Sequence, residues 1–279
     1  MTLRVAAVQL SSGRDVATNL AAAEAGIARA LEAGARYVQL PEYFNYLGPP
    51  SGLAAAAETI PGPTTERFGE LARRAEVSLH LGSMAEIAGE GRYHNTSVLI
   101  GPDGRVAATY RKVHLFDVEV GELVSRESDA LTAGEEMVVG PLDGELLGLS
   151  ICFDVRFPEL YRRLAAAGAS VLAIPAAFAE ATGRAHWHVL VRARAIENHA
   201  YVVAAAQAGA AGAFPTYGHS LIVDPWGEVL AEGPGEGEAV LVAELDFDQV
   251  TRRRAQIAVL ELARPDLYSR APRGARQTP

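Results

Sequence analysis

The feature that most constrains this chain is a series of short apolar runs that fail to alternate. They fall at 4–10, 36–40, 77–84, 96–100, 106–110, 146–152, 170–175, 201–206, 219–223 and 239–245, and many are rich in Val, Ile, Leu and Ala. A strand with one wet face alternates apolar and polar residues, whereas a strand covered on both faces reads as a continuous run. The runs therefore predict buried strands in a layered α/β fold. Helical patterns fall between them. Residues 16–33 put Leu20, Ile27 and Leu31 on one side, with Asn19, Glu24 and Arg29 elsewhere. Residues 64–75 open on threonines suited to capping. Residues 158–167 start on Pro158, which a first helical turn tolerates, and stop before Gly168; residues 183–199 are the longest helix candidate. Gly101-Pro102-Asp103-Gly104 and Asp224-Pro225-Trp226-Gly227 each separate two apolar runs and read as strand connections.

The chain has 279 residues, enough to bury a sizeable core. With no internal repeat or long linker in sight, we expect one domain over 1–268, followed by an Arg- and Pro-rich tail at 269–279. No apolar run approaches the ~18 residues of a membrane span, and the start, Met1-Thr2-Leu3-Arg4-Val5, lacks the apolar stretch of a signal peptide. The formal net charge of −9 argues against a nucleic-acid footprint or a polybasic membrane contact. Cys152 is the single cysteine, so an intrachain disulfide is impossible, in keeping with a reducing, cytoplasmic setting.

Three reactive residues share one placement. Glu42 follows the run ending Leu40-Pro41, Lys112 follows the run ending Tyr110-Arg111, and Cys152 closes Leu149-Ser150-Ile151. Strand ends gathered at one edge of an α/β sheet form the usual site crevice. Taken singly, each has an ordinary explanation: a core cysteine, a turn acid, a surface lysine. Together they suit acyl transfer. A thiol with its usual pKa of ~8.5 is mostly protonated near neutrality; a carboxylate can take its proton during attack on a carbonyl. An ammonium beside them can stabilise the thiolate and the developing oxyanion. The same carboxylate can then activate water against the thioester, and no histidine is required.

The local context of these residues resembles the nitrilase superfamily of carbon–nitrogen hydrolases along nearly the whole chain. Leu40-Pro41-Glu42 is similar to the family's glutamate motif, Tyr110-Arg111-Lys112-Val113-His114-Leu115 to its lysine motif, and Ile151-Cys152-Phe153-Asp154-Val155-Arg156-Phe157-Pro158-Glu159 to its cysteine elbow. The resemblance implies Glu42 as general base, Lys112 as oxyanion stabiliser, Cys152 as nucleophile and the Phe153 N–H as a second oxyanion donor. Glu127, in Arg126-Glu127-Ser128, matches the family's second glutamate, which is thought to orient the lysine and assist proton transfer. The implied fold is a four-layer α-β-β-α sandwich, usually a homodimer through its outer helices. The apolar runs by themselves support a two-sheet layered α/β fold without fixing that topology.

Thr182-Gly183-Arg184-Ala185-His186-Trp187, Arg192-Ala193-Arg194-Ala195-Ile196-Glu197, Tyr217-Gly218-His219-Ser220 and Val223-Asp224-Pro225-Trp226-Gly227 resemble the Nit branch. That branch includes omega-amidases acting on 2-oxoglutaramate and amidases acting on deaminated glutathione. The stretch Ala204-Ala205-Ala206-Gln207 with Tyr217-Gly218-His219-Ser220 inclines the resemblance toward the second. N-carbamoyl and nitrile hydrolysis share the same covalent logic and stay open, as does a catalytically silent dimeric scaffold. Two departures stand out: His186-Trp187-His188 replaces the frequent His-Trp-Glu, and Asp117-Val118-Glu119-Val120-Gly121 lacks a customary proline.

Substrates carrying a carboxylate call for a fixed cation. Arg156, four residues past Cys152, is the candidate, its alternative being a structural ion pair with Glu159 or another acid. Tyr43, Phe44, Phe178 and Trp187 are candidate pocket walls, with plain core packing as the alternative for each. No cofactor and no metal are expected. His186 and His188 lie two apart on a helix and do not share a face, and no Cys/His/Asp set has zinc spacing. Gly233-Pro234-Gly235-Glu236-Gly237 lacks the helix and basic residue of a phosphate loop, and no serine sits in a Gly-x-Ser-x-Gly elbow.

Overall fold

The computed structural model describes residues 1–121, 123–210 and 214–270. In chain order its first half holds β1 (Thr2–Gln9), α1 (Val16–Glu32), β2 (Tyr37–Gln39), α2 (Leu53–Ala56), α3 (Pro63–Ala75), β3 (Ser78–His80), β4 (Met84–Gly89), β5 (Arg92–Ile100) and β6 (Val106–Arg111). A hairpin, β7 (Asp117–Val120) and β8 (Leu123–Arg126), leads to β9 (Val139–Leu142) and β10 (Glu145–Leu149). The second half continues through α4 (Pro158–Ala166), β11 (Val171–Ala173), α5 (Glu180–Asn198), β12 (Tyr201–Ala204), β13 (Ala208–Gly209), β14 (Thr216–Tyr217), β15 (Leu221–Val223) and β16 (Val229–Glu232). It closes with β17 (Ala239–Asp246), α6 (Phe247–Gln256) and α7 (Pro265–Tyr268).

Two mixed sheets form the centre. One runs β17-β1-β2-β3-β5-β4, with β6 also paired to β5; the other runs β16-β15-β12-β11-β10-β9. In β1 the two side-chain parities serve two cores. Leu3, Val5 and Ala7 pack toward Leu147, Leu149 and Val202 of the second sheet, whereas Ala6 and Val8 pack with Leu20, Ala23 and Ile27 of α1 and Phe68 of α3. Each fully buried aliphatic side chain contributes about 1.5–3 kcal/mol relative to exposure. On the second sheet, Leu160 and Leu164 of α4 and Trp187 and Val191 of α5 cover the outer side. Helices thus flank both sheets in the α-β-β-α order that the resemblance implies, and the absence of alternation in the apolar runs follows from cover on both faces.

Local chemistry sets the breaks. The run 77–84 is not one strand: β3 ends at His80 and β4 begins at Met84. Between them Gly82 adopts φ +45, and a Cβ there would lie 2.0 Å from the Pro41 carbonyl oxygen. Backbone meets backbone at that point, a place only glycine fits, and the contact pins the loop that carries Glu42. The predicted helices at 16–33, 64–75 and 158–167 match α1, α3 and α4 within a residue or so at each end, and 183–199 begins three residues earlier as α5. Asp15 caps α1 by accepting from the Thr18 N–H at 2.7 Å. The two turn sequences connect β5 to β6 and β15 to β16. No helix is long and apolar enough to cross a membrane among the described residues. Of the expected tail at 269–279, only residues up to 270 fall within the described region.

Candidate active site

The three strand-end residues meet. Glu42 leaves the loop after β2, Lys112 directly follows β6, and Cys152 follows β10 at the head of a short 3-10 turn, Cys152–Arg156. Lys112 Nζ donates to Glu42 Oε1 at 3.0 Å and to Glu127 Oε2 at 2.9 Å. The two glutamates reach it from different directions, because Glu127 sits on a turn after the β7–β8 hairpin. Glu127 also accepts from the Phe116 N–H at 2.7 Å and from the Tyr43 hydroxyl at 3.2 Å. Glu42 is buried, and its carboxylate accepts from the Asn95 amide at 2.9 Å and the Ala177 N–H at 2.7 Å. Its backbone carbonyl accepts from Gln207 Nε2 at 3.0 Å. Each oxygen of this carboxylate is therefore aimed by a partner that is itself fixed.

Cys152 is held in the left-handed region, at φ +46. Non-glycine residues there are uncommon and strained, a recurrent trait of functional turns. The elbow is stapled by Asp154, fully buried, whose carboxylate accepts from the Ile151 N–H at 2.8 Å and the Tyr110 hydroxyl at 2.8 Å and meets His114 Nδ1 at 2.7 Å. The Cys152 N–H itself donates to the Pro175 carbonyl at 2.9 Å. The first bond inside the 3-10 turn runs from the Asp154 N–H to the Ile151 carbonyl, leaving the Phe153 N–H one residue earlier at the turn's open end.

Burial and the neighbouring Glu42 carboxylate push the Cys152 thiol well above its usual range, although Lys112 opposes them. Burial works against the Lys112 ammonium, but Glu127 and Glu42 overcome it and hold the group well above the ordinary lysine value. Burial, and then Glu127, raise the Tyr43 hydroxyl. At neutral pH the site thus holds a neutral thiol, a fixed ammonium and a neutral phenol. The Glu42 carboxylate, whose charge acts on the thiol, can receive its proton.

These groups open onto a cavity of about 390 Å³. Its wall includes Glu42, Tyr43, Lys112, Glu127 and Cys152, with Tyr46, Leu47, Phe116 and Leu131 supplying apolar cover. Four expected pocket residues lie elsewhere, which corrects the sequence reading. Trp187 is fully buried on the inner side of α5 and donates from Nε1 to the His219 carbonyl at 2.7 Å. Phe178 is buried against Trp187, ring centroids 5.0 Å apart. Arg156 lies over the Phe178 ring at 5.1 Å and meets His186 Nδ1 at 3.1 Å; it is near enough to Cys152 to feel its charge but is not on that cavity wall, and among the described residues it forms no ion pair with Glu159 or another acid. Phe44 belongs to the core, edge-on to Phe68. Sequence reasoning also missed Asn95, Asp154 and Arg126. Asn95-Thr96-Ser97 is a visible signal, three polar residues inside a buried strand. Arg126, which lines the cavity, has none.

A two-sheet sandwich that buries a thiol beside a carboxylate and an ammonium has the architecture of a cysteine hydrolase working without a histidine base. Sequence comparison places it more narrowly. Residues 4–255 match the profile of the family described as Carbon-nitrogen hydrolase, and the chain belongs to that family, within the nitrilase superfamily. It is 37% identical over 270 residues to the Homo sapiens protein named omega-amidase NIT2, covering 96% of this chain and 97% of that one. It is 42% identical over 262 residues to a Synechocystis deaminated glutathione amidase, covering 92% and 96%. A solved amidase from Nesterenkonia sp. AN1 superposes with a TM-score of 0.77 at 31% identity, covering 92% and 98%; in that glutamate-to-glutamine mutant, acrylamide has added to the active-site cysteine.

Proposed function

We propose that this enzyme is an amidase hydrolysing the terminal amide of a small carboxylate through a thioester on Cys152. The observation that carries the reading is the Lys112 ammonium fixed between two carboxylates on the wall of the cavity that the Cys152 thiol shares. As Sγ attacks the carbonyl carbon, Glu42 takes the thiol proton. The oxyanion forms against Lys112 Nζ and the Phe153 N–H. Glu42 then passes its proton to the departing nitrogen, ammonia leaves, and the thioester remains. Water enters, Glu42 accepts its proton, and collapse releases the acid and restores the thiol. Glu127 keeps Lys112 charged and aimed, and Tyr43 fixes Glu127 in turn.

For the substrate's carboxylate, the cavity wall favours Arg126 over Arg156. Arg126 is the one cation besides Lys112 on that wall among the described residues. One terminal nitrogen of Arg126 donates to the Val118 and Ser125 carbonyls at 3.3 and 3.1 Å and the other stands 3.6 Å from Glu119, so the Nε edge of the guanidinium is the side left to meet a carboxylate. The relatives' names point to two substrate classes, an omega-amide of a dicarboxylate and deaminated glutathione. A homodimer through α5 agrees with the exposed Val189 and Ile196, seven residues apart on that helix. One domain over 1–268 and a cytoplasmic setting complete the reading. Supporting them are the helices and strands that follow one another without a long break as far as α7, and a lone cysteine buried as a free thiol.

A panel of 2-oxoglutaramate, succinamate, deaminated glutathione, an N-carbamoyl amino acid and a simple nitrile, assayed for ammonia release, tests this reading. We expect the carboxylate amides to turn over fastest, with Arg126→Gln raising KM for them and leaving a neutral amide unaffected. Preference for the nitrile or the carbamoyl compound would overturn the amidase assignment.

A further inference from the structure

We propose a second site, a binding site for a divalent transition cation, zinc foremost, made by His188, His219 and Glu232 and sharing no residue with the thiol's cavity. The three residues come from α5, the loop before β15 and the end of β16. Their ligand atoms, one from each side chain, all lie within 4.8 Å of one another. One oxygen, Glu232 Oε1, meets His188 Nε2 at 3.0 Å and His219 Nδ1 at 2.9 Å. Two imidazoles from separate elements therefore aim at a single point. The carboxylate has no Lys or Arg partner among the described residues; the two histidines are its ion-pair neighbours.

Two histidines and a glutamate form a donor set that zinc favours, with tetrahedral bonds of about 2.0–2.2 Å and a fourth position left for water. Such bonds put ligand atoms about 3.4 Å apart. The two contacts to Glu232 therefore open by a few tenths of an ångström on binding, while the imidazole nitrogens draw together by roughly 1.4 Å at most. Each histidine binds the cation through the lone pair of the nitrogen that faces Glu232, as a neutral ring with its proton on the other nitrogen.

The surroundings hold the ligands in place. The His219 N–H donates to the Pro234 carbonyl at 3.0 Å, and its carbonyl accepts from Trp187 at 2.7 Å. Trp187 is the buried chain neighbour of His188, so one core residue positions both histidines. Tyr217 packs on both rings, with centroids 4.5 Å from His219 and 5.9 Å from His188. Entry is open, since His219 lines a surface cleft with Arg184 and Glu236. The sequence hides the site because the closely spaced pair His186 and His188 diverge. His186 turns to Arg156, while His188 finds partners 31 and 44 residues further along the chain.

The experiment uses the full chain carrying Cys152→Ser, which removes the thiol as a competing metal ligand, after treatment with a chelator. Zinc is titrated by calorimetry and cobalt by visible absorption. We expect one equivalent of each to bind, cobalt with the intense bands of a low-symmetry site, and zinc to raise the Tm. His188→Ala and Glu232→Gln should each weaken binding by at least about tenfold and abolish the zinc-dependent rise, with metal-free Tm near that of the parent. Absence of stoichiometric binding, or undiminished affinity in the two variants, overturns the proposal.

Discussion

At the scale of single residues, the site is a chain of constraints that ends on one proton. Glu42 has three donors on its carboxylate, and Lys112 has two carboxylates, so neither group can turn away without leaving a buried charge uncompensated. Glu127→Gln keeps the shape but removes one of those charges. Lys112 then leans on Glu42 alone and is aimed less firmly at the oxyanion. We expect kcat for an amide to fall by about 10²–10³, the loss typical of one misaimed oxyanion donor, with KM little changed. For Glu42→Gln the expected fall is about 10²–10⁴, the range of general base catalysis. Stopped-time ammonia assays on both variants check the pair; a mild effect at Glu42 would pass the base role to Glu127. Glu42, Lys112, Cys152 and Glu127 were legible in the sequence through the motifs around them. Ala177 was not, because a backbone partner that aims a carboxylate across 135 residues leaves no local pattern.

At the scale of elements, packing decides where strands end and helices approach. Gly69 of α3 faces the β5–β6 turn so closely that a Cβ would lie 2.5 Å from the Gly104 carbonyl oxygen. The obstacle is backbone and cannot rotate aside. Gly69→Ala should cost about 1–3 kcal/mol, the usual penalty of overpacking, with kcat per folded molecule unchanged because α3 does not line the cavity. Chemical denaturation of the variant measures it. The buried strands and long helices were readable from apolar runs and 3.6-residue periodicity. The β7–β8 hairpin was not, since it mixes charged residues with the exposed Val120 and Val124. It forms part of the cavity wall and presents Arg126 there. β16 was missed for a related reason: Val229–Glu232 is an edge strand, mostly exposed.

At the scale of the whole molecule, burial of titratable groups sets the pH range of stability. His80 lies in the first sheet between the Tyr37 hydroxyl at 3.2 Å and the Ser97 hydroxyl, and burial lowers its pKa from 6.5 to about 3. The folded chain keeps this ring neutral while the unfolded chain protonates it. Its contribution is complete above pH 6.5 and is lost as pH falls toward about 3. The loss is on the order of several kcal/mol over that span. His80→Gln should flatten the decline between those limits when denaturation midpoints are compared across pH; an equally steep decline in the variant would remove His80 from the account. At the alkaline end, burial raises Tyr37, Tyr110 and Tyr161 above their usual 10.0, so stability falls as pH rises past that value.

The central claim is that one sulfur carries the acyl group between two proton transfers by one carboxylate. It is tested most directly by mixing the enzyme with excess carboxylate amide, quenching in acid during turnover and weighing the intact protein. The account predicts an adduct equal to the substrate less ammonia, mapped to the peptide holding Cys152, present in the wild type and absent in Cys152→Ala. Ammonia release from Cys152→Ala at the wild-type rate, or turnover with the acyl group on any other residue, would contradict it.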